Sequence, residues 1–280
     1  MGNILIILSA ICFSLSGTWV VLLKEYNLDV YTLTAFRLAF SVIFSAIAIK
    51  YTNNNFIVSY KELRDLSTFG LGGVATLLLY SAAAYHIPSG LVCLLNFCYP
   101  IIVALFSFLL YKEKIGKWKI IASALMMIGL IMISGGGSMN FMGFILGLLS
   151  AVTFSIYVLA QEHSTMSKIH GLKIVFYTSL IGFILITFSL IGFNKLLIPT
   201  VPYVYFISAI GALITQVGAN TCLALGMQKG VSSTKASFLA IIEPAFALIW
   251  DKVLFNVSLS TISMIGILII FSSFFITLKT

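Results

Sequence analysis

Charged residues are scarce in this 280-residue chain: only 9% of its residues are Asp, Glu, Lys or Arg, whereas 60% are hydrophobic. A soluble domain carries charge on about 25% of its residues, because its surface must face water. A chain with so little charge could not cover a water-soluble globule of this size. The composition therefore excludes a soluble enzyme or binding domain and indicates a polytopic membrane protein.

Long polar stretches are lacking too. Charged and turn-forming residues separate hydrophobic segments, each near the roughly 20 residues that a helix needs to cross a bilayer. Ten spans are predicted, at residues 3–23, 30–49, 68–87, 89–111, 118–134, 140–160, 171–192, 201–227, 232–254 and 258–278. Only the connections around 50–67 and 161–170 exceed a tight turn, so no soluble domain is expected. The first segment lacks the positively charged start of a cleavable signal peptide.

Motifs for catalysis, metal binding and nucleotide binding are also missing. Cys12, Cys93, Cys98 and Cys222 lie within segments without a CxxC spacing, which is typical of small packing residues. The three histidines, His86, His163 and His170, lie in loops or at the ends of spans, and no HExxH or GxxxxGK[ST] motif occurs. We therefore expect no enzymatic activity, no metal and no cofactor, and any transport must be secondary rather than driven by ATP.

Basic residues are unevenly distributed, and the formal net charge is +8. With the N-terminus placed in the cytoplasm, twelve of the sixteen Lys and Arg residues fall on the inner side, three on the outer side and Arg37 within a span. This positive-inside bias predicts that both termini are cytoplasmic, in the cell inner membrane. The excess charge then faces anionic lipid and does not indicate a nucleic-acid site.

The two halves of the chain carry related segments. Residues 2–14, GNILIILSAICFS, match residues 143–155, GFILGLLSAVTFS, at eight of thirteen positions, and residues 96–111 align with 240–255 so that Pro100 matches Pro244. Two repeats are therefore predicted, residues 1–137 and 138–280, with five helices each. Because five is odd, the second repeat starts on the opposite side and runs inverted, as in secondary transporters. The predicted fold is an all-α polytopic membrane protein with ten transmembrane helices in two inverted repeats.

Several motifs carry a family resemblance. The first segment contains SAICFSLSGTWVVLLKE, the second contains LTAFRLAFS with Arg37, and the fourth places Glu113 thirteen residues after Pro100. The most specific block is LGMQKGVSSTKASFLAIIEPAFALIW in the second half. Over essentially the whole chain these motifs resemble the EamA-type ten-helix transporters of the drug/metabolite transporter superfamily. The resemblance implies a carrier of small metabolites, although Val257 replaces the Glu that would close the second half.

Two ionisable residues, Glu243 and Arg37, lie well inside predicted spans. Such residues are costly in a membrane unless they face a cavity or a partner, so each marks a site hypothesis. Glu243 either binds a substrate ammonium or exchanges a coupling proton, since a desolvated carboxyl group holds its proton more tightly. Alternatively, it satisfies backbone donors freed at Pro244 or pairs with a base such as Lys235. Arg37 either pairs with an acid or extends its charged end towards the interface, and it is interpreted as a structural ion partner rather than a substrate contact.

Pro100 and Pro244 occupy equivalent positions in the two halves. A proline inside a helix removes a hydrogen bond and kinks the helix, and membrane helices tolerate this when neighbours satisfy the freed backbone groups. The symmetric pair predicts hinges that shape a central cavity.

Helical spacing places further polar and aromatic residues on shared faces. Asn96 and Tyr99 lie three apart, Gln216 and Asn220 lie four apart, and Glu243 begins a face at i, i+3 and i+7. A cavity where these faces converge suits a small amine, because aromatic rings attract cations. The alternatives are interhelical hydrogen bonds for the amides and packing for the aromatics. The predicted substrate-binding residues are Glu243, Asn96, Tyr99, Gln216, Asn220, Phe246, Trp250, Tyr80, Trp19 and Tyr157.

The sequence thus predicts a carrier that moves a small metabolite by alternating access. An amino acid or another amine-containing solute is the expected substrate, and proton-coupled efflux is the expected mode. A flippase of a lipid-linked intermediate and a channel-like pore are the alternatives, although no filter-like loop or ring of charge is evident. The expected partners are the solute, the lipid bilayer and protons, without nucleic acid, and the chain could be a monomer or a homodimer.

Overall fold

The computed structural model describes residues 1–280 except 25, 27, 88, 114–115, 134–139, 194–197, 257–259 and 279–280. Within the described residues the chain is helical and contains no strand. The helices are α1 (Gly2–Phe13), α2 (Ser16–Lys24), α3 (Val30–Tyr51), α4 (Tyr60–Thr68), α5 (Gly70–His86), α6 (Ser89–Asn96), α7 (Tyr99–Tyr111), α8 (Lys117–Ile133), α9 (Phe141–His163), α10 (Gly171–Gly192), α11 (Pro202–Gly211), α12 (Ala219–Gln228), α13 (Ser233–Leu239), α14 (Glu243–Phe255) and α15 (Thr261–Leu278).

Each predicted span coincides with one helix or with a run of consecutive helices, which we number spans 1–10. Span 1 is α1 and α2, span 4 is α6 and α7, and spans 2, 3, 5, 6, 7 and 10 are α3, α5, α8, α9, α10 and α15. Span 8 joins α11 to α12 through the π-helix Ala212–Gly218, and span 9 joins α13 to α14 through the 3₁₀-helix Ala240–Ile242. Seven helical stretches of the described residues are long and apolar enough to cross a membrane. The helical fold class is thereby confirmed.

Pro100 and Pro244 lie at helix starts, and this differs from the predicted mid-helix kinks. α6 ends at Asn96, and after two intervening residues α7 begins at Tyr99 with Pro100 in its first turn. In the same way, α14 begins at Glu243 with Pro244 in its first turn. Proline is tolerated there because the first N–H groups of a helix have no partner within the helix. Each proline therefore follows a break in its span, and the hinge role stays a prediction.

The packing of the spans follows the proposed repeat. Span 1 packs against span 8, and span 6 packs against span 3. Spans 2 and 7 pack against each other, as do spans 5 and 10. If each span is replaced by its counterpart five places along the chain, the pairing of spans 1 and 8 becomes that of spans 6 and 3. The pairings of spans 2 and 7 and of spans 5 and 10 are unchanged by this exchange. The boundary at residues 137–138 and Val257 lie outside the described residues, so the division into repeats stays a prediction.

Polar contacts are found at the end of the bundle that contains the α3–α4 connection (52–59) and the α9–α10 connection (164–170), which we call the basic end. The Lys173 ammonium donates to Asn55 Oδ1 at 2.5 Å and to the Ile57 carbonyl at 3.1 Å. The Asp65 carboxylate accepts from the Thr165 N–H at 3.0 Å and from its hydroxyl at 2.8 Å. These bonds join the α3–α4 connection to the first turn of α10, and α4 to the α9–α10 connection. The positive-inside rule predicts that this end faces the cytoplasm.

α5 and α9 approach so closely that Gly72 has no room for a side chain. A Cβ at Gly72 would lie 2.9 Å from the Thr153 carbonyl oxygen and 3.4 Å from Tyr157 Cβ. We expect Gly72→Ala to destabilise the protein by about 1–3 kcal/mol, because the backbone of α9 would have to move. The melting temperature in detergent measures this effect.

Gly192→Ala is the matched control for this prediction. A Cβ at Gly192 would meet nothing within 4 Å, although this residue is also helical. Since alanine favours helix over glycine by roughly 1 kcal/mol, Gly192→Ala should not lower the melting temperature. Equal melting temperatures for the two variants would contradict the argument from close packing.

Candidate functional site

A cavity lies in the middle of the bundle, between spans 1–4 and spans 6–9. Its volume is about 830 Å³, including the space at its mouth. We call it the central cavity. Six of the ten residues predicted to bind substrate line it, namely Tyr80, Asn96, Tyr157, Gln216, Asn220 and Glu243. The binding role of these residues stays a prediction.

Glu243 is partly buried and lines the central cavity as the first residue of α14. The partial positive charge of a helix N-terminus favours a carboxylate at this position. Within the described residues, its carboxyl group makes no ion pair within 4.0 Å and no hydrogen bond to another side chain. The alternative pairing with Lys235 is therefore not found. Whether Glu243 binds substrate, exchanges a proton or has a structural role stays a prediction.

Arg37 also lines the central cavity, with only 4% of its surface exposed. One of its terminal nitrogens donates to the Thr215 hydroxyl at 2.8 Å, and its Nε has no hydrogen-bond partner among the described residues. No described acid lies within 4.0 Å of it. The expected acidic partner is thus missing from the part of the chain that the structure describes. A buried cation without a counter-ion is unfavourable. The Arg37 guanidinium is therefore able to donate hydrogen bonds to an anionic group of a ligand.

Amide groups occupy two further places on the wall. Asn220 donates through Nδ2 to Gln216 Oε1 at 3.1 Å and to the Gln216 carbonyl at 3.0 Å. Gln216 lies in the π-helix of span 8, and such segments occur frequently at functional sites. Asn96 donates to the Ser150 hydroxyl at 2.9 Å and so links span 4 to span 6. Asn96 therefore forms an interhelical hydrogen bond, which is the structural alternative considered for this amide, and it also lines the cavity.

Aromatic rings form part of the cavity wall, and two of them were not among the predicted site residues. Phe13 and Phe154 join Tyr80 and Tyr157 there. The rings of Phe13 and Phe154 meet edge to face, with centroids 5.9 Å apart. Phe13 and Phe154 are matched residues of the aligned repeat segments, so the sequence repeat was the signal that could have found them.

Four predicted residues lie outside the lining of the central cavity. Tyr99 is buried one residue before Pro100, because the break after α6 removes it from the face of Asn96. Phe246 packs against the main hydrophobic core. Trp250 donates through Nε1 to the Ser14 hydroxyl at 2.9 Å. Trp19 is buried and lies against span 8 at Gly211.

One group of metal-ligand type occurs among the described residues, at the basic end. Glu113, Glu162 and His163 place one ligand atom each within 4.8 Å of one another. His163 Nε2 lies 3.6 Å from Glu162 and 3.9 Å from Glu113, and its ring stacks on Tyr111. Glu113 also accepts a hydrogen bond from the Thr234 hydroxyl at 3.1 Å. The group therefore ties spans 4, 6 and 9 together through contacts within the protein.

The comparisons agree with this architecture. The sequence profile of the EamA-like transporter family matches residues 1–135 and 141–279. No curated protein matches the sequence significantly. One solved structure, described only as "Crystal structure of protein", has a TM-score of 0.81 at 16% identity and covers 98% of this chain and 95% of its own. At this identity the likeness shows the fold alone.

Proposed function

The chain belongs to the EamA-like transporter family, within the drug/metabolite transporter superfamily, and on that basis we propose that it is a secondary active transporter of zwitterionic amino acids. The family consists of membrane transporters and not of enzymes. The solute, the coupling and the direction of transport are parts of the proposal. Alternating access by two inverted repeats is the proposed mechanism.

The observation that carries the proposal is a pair of opposite charges in one cavity. Arg37 and Glu243 both line the central cavity, and neither has an ion-pair partner among the described residues. Placing either charge away from water is unfavourable without a counter-charge. An amino acid supplies both counter-charges at once, with its carboxylate towards Arg37 and its ammonium towards Glu243.

The remaining wall suits the rest of such a solute. Tyr157 and Phe154 offer aromatic surface that attracts an ammonium group and packs against an apolar side chain. Asn96 and Gln216 offer amide groups for further hydrogen bonds.

A transport assay separates this carrier from its alternatives. Protein reconstituted into liposomes and loaded with unlabelled L-leucine is expected to accumulate labelled L-leucine transiently, because a carrier exchanges solutes through one site. The initial rate should saturate with concentration. Liposomes without protein give the background rate.

A channel-like pore would give flux without saturation or counterflow and would contradict the proposal. A flippase would move a lipid-linked solute and leave the accumulation of free amino acids at the background rate. A panel of amino acids with small, apolar and aromatic side chains identifies the preferred solute. A proton gradient imposed in the same assay tests whether transport is coupled to protons, and the same measurement on Glu243→Gln tests whether Glu243 is the exchanging group.

A further inference from the structure

A second cavity lies at the basic end, beside the carboxyl end of α9. Its volume is about 530 Å³, including the space at its mouth, and we call it the basic-end cavity. Gln161 and Glu162 line it from span 6, Met227 and Gln228 line it from span 8, and residues 230–232 close it. Glu162 is the one charged side chain among these lining residues.

Gln161 gives the basic-end cavity a buried amide without a partner. The residue is only 2% exposed, and neither its Oε1 nor its Nε2 has a hydrogen-bond partner among the described residues. A buried amide left without hydrogen bonds costs about 1–3 kcal/mol. Beside it, Glu162 accepts from the Ser233 N–H at 2.5 Å, and this bond fixes the carboxylate at the wall. The ammonium group of a solute would donate to Gln161 Oε1 and to the Glu162 carboxylate.

A third, smaller cavity lies between the other two. Its volume is about 260 Å³, including the open space beside it, and we call it the small cavity. Phe13 and Phe154 line both this cavity and the central cavity, so the two are adjacent. The other lining residues of the small cavity are mostly apolar, including Val158, Leu223 and Ala236.

The basic-end cavity follows the small cavity towards the basic end. On each of three shared spans, the residue that lines one cavity lies about one helical turn from a residue that lines the other. On span 6, Val158 lines the small cavity and Glu162, four residues later, lines the basic-end cavity. On span 8, Leu223 and Met227 have the same relation. On span 9, the small cavity is lined from Ala236, and the basic-end cavity is lined from the N-cap of α13, four residues earlier. Four residues correspond to about one turn of helix.

From this series we infer that the transport path leaves the central cavity between spans 6, 8 and 9 and ends in a second binding site at the basic end, where Glu162 and Gln161 hold the ammonium group of the solute. The apolar side chains around the small cavity close the path in this conformation. The inference rests on the proposed transport of amino acids and adds a site and a route to it.

Charge-selective labelling tests the second site without knowledge of the best solute. Ser232→Cys places a thiol in the basic-end cavity, in a background where the four native cysteines are replaced by serine. The thiol is treated with (2-trimethylammoniumethyl) methanethiosulfonate and with the anionic 2-sulfonatoethyl reagent, and the ratio of the two rates is measured. We expect Glu162→Gln to lower the cation-to-anion ratio about tenfold, as loss of roughly 1.4 kcal/mol of attraction would do.

Glu62→Gln is the matched control, because Glu62 is a carboxylate on α4 that lines none of the three cavities. It should leave the ratio unchanged. If Glu162→Gln does not fold, Gln161→Leu provides the second variant, and it should slow the cationic reagent severalfold. An unchanged ratio in a folded Glu162→Gln variant, or an unchanged cationic rate in Gln161→Leu, overturns the second site.

The route is tested at its apolar section. Thr76→Cys places a thiol in the central cavity, and the cationic reagent is supplied to vesicles of known orientation from the basic end. Leu223→Ala should raise the labelling rate from that end about tenfold and leave the rate from the other end unchanged, because only the small cavity widens. An unchanged rate from the basic end overturns the route.

Counterflow without charge-selective labelling refutes the second site alone, whereas selective labelling without any amino-acid transport refutes the proposed function.

Discussion

Glu243→Gln is expected to weaken the binding of L-leucine and of 3-methylbutylamine by about 10- to 150-fold, because a hydrogen bond to a charged group contributes roughly 1.5–3 kcal/mol. Glutamine keeps the size of the side chain and removes the negative charge that would face the ammonium group. 4-Methylpentanoate has the same carbon skeleton without the ammonium, so its binding should not weaken. Isothermal titration of the purified protein with the three compounds measures the pattern.

Glu62→Gln is again the suitable control, since Glu62 caps α4 at the basic end, outside the central cavity. It should leave all three affinities unchanged. An equal loss of affinity for all three compounds in Glu243→Gln would point to a structural role at the start of α14. Unchanged affinities would remove Glu243 from the binding site altogether. Counterflow at several pH values then shows whether the variant has lost a pH dependence that the parent protein displays.

Arg37→Gln is expected to produce the complementary pattern. Binding of L-leucine and of 4-methylpentanoate should weaken by about 10- to 150-fold, by the same energy of a charged hydrogen bond. Binding of 3-methylbutylamine should be retained or improve, because the amine no longer meets a buried positive charge. The ratio of the affinity for L-leucine to the affinity for 3-methylbutylamine is thus the quantity that tests Arg37 as the carboxylate contact.

The stability of the empty protein provides an independent test of Arg37. Removing one member of a buried ion pair usually costs about 3–5 kcal/mol, because the other charge is left alone. Arg37 bonds to the Thr215 hydroxyl and has no acidic partner among the described residues. Arg37→Gln should therefore melt close to the parent protein in the absence of solute. A large loss of melting temperature would indicate a structural partner and contradict the proposed contact.

The spans could be predicted from the sequence because their hydrophobic length follows from the thickness of the bilayer. The breaks inside them could not be located in the same way. Pro100 and Pro244 both indicated that the helix is irregular nearby. A proline, however, is equally compatible with a kink inside one helix and with the first turn of a new helix after a break. The neighbouring spans decide between the two by satisfying the freed backbone groups, and a single sequence does not contain those contacts.

The same breaks explain which site residues could be predicted. Gln216 and Asn220 share a face within span 8, and both line the central cavity as the spacing predicts. Asn96 and Tyr99 lie on either side of a break, so helical spacing did not apply and only Asn96 lines the cavity. The acidic partner expected for Arg37 is not found among the described residues, and the sequence could not settle this because any other span could have supplied one. Its environment depends on how spans 2 and 8 pack together.

The described residues of spans 5 and 10 line none of the three cavities. They pack tightly on each other instead, and a Cβ at Gly129 would lie 2.8 Å from the Gly266 carbonyl oxygen. Substitutions that alter the lining of the three cavities can therefore leave the packing of this pair of helices unchanged. Such a separation would let specificity diverge between descendants of one ancestral carrier without loss of the fold.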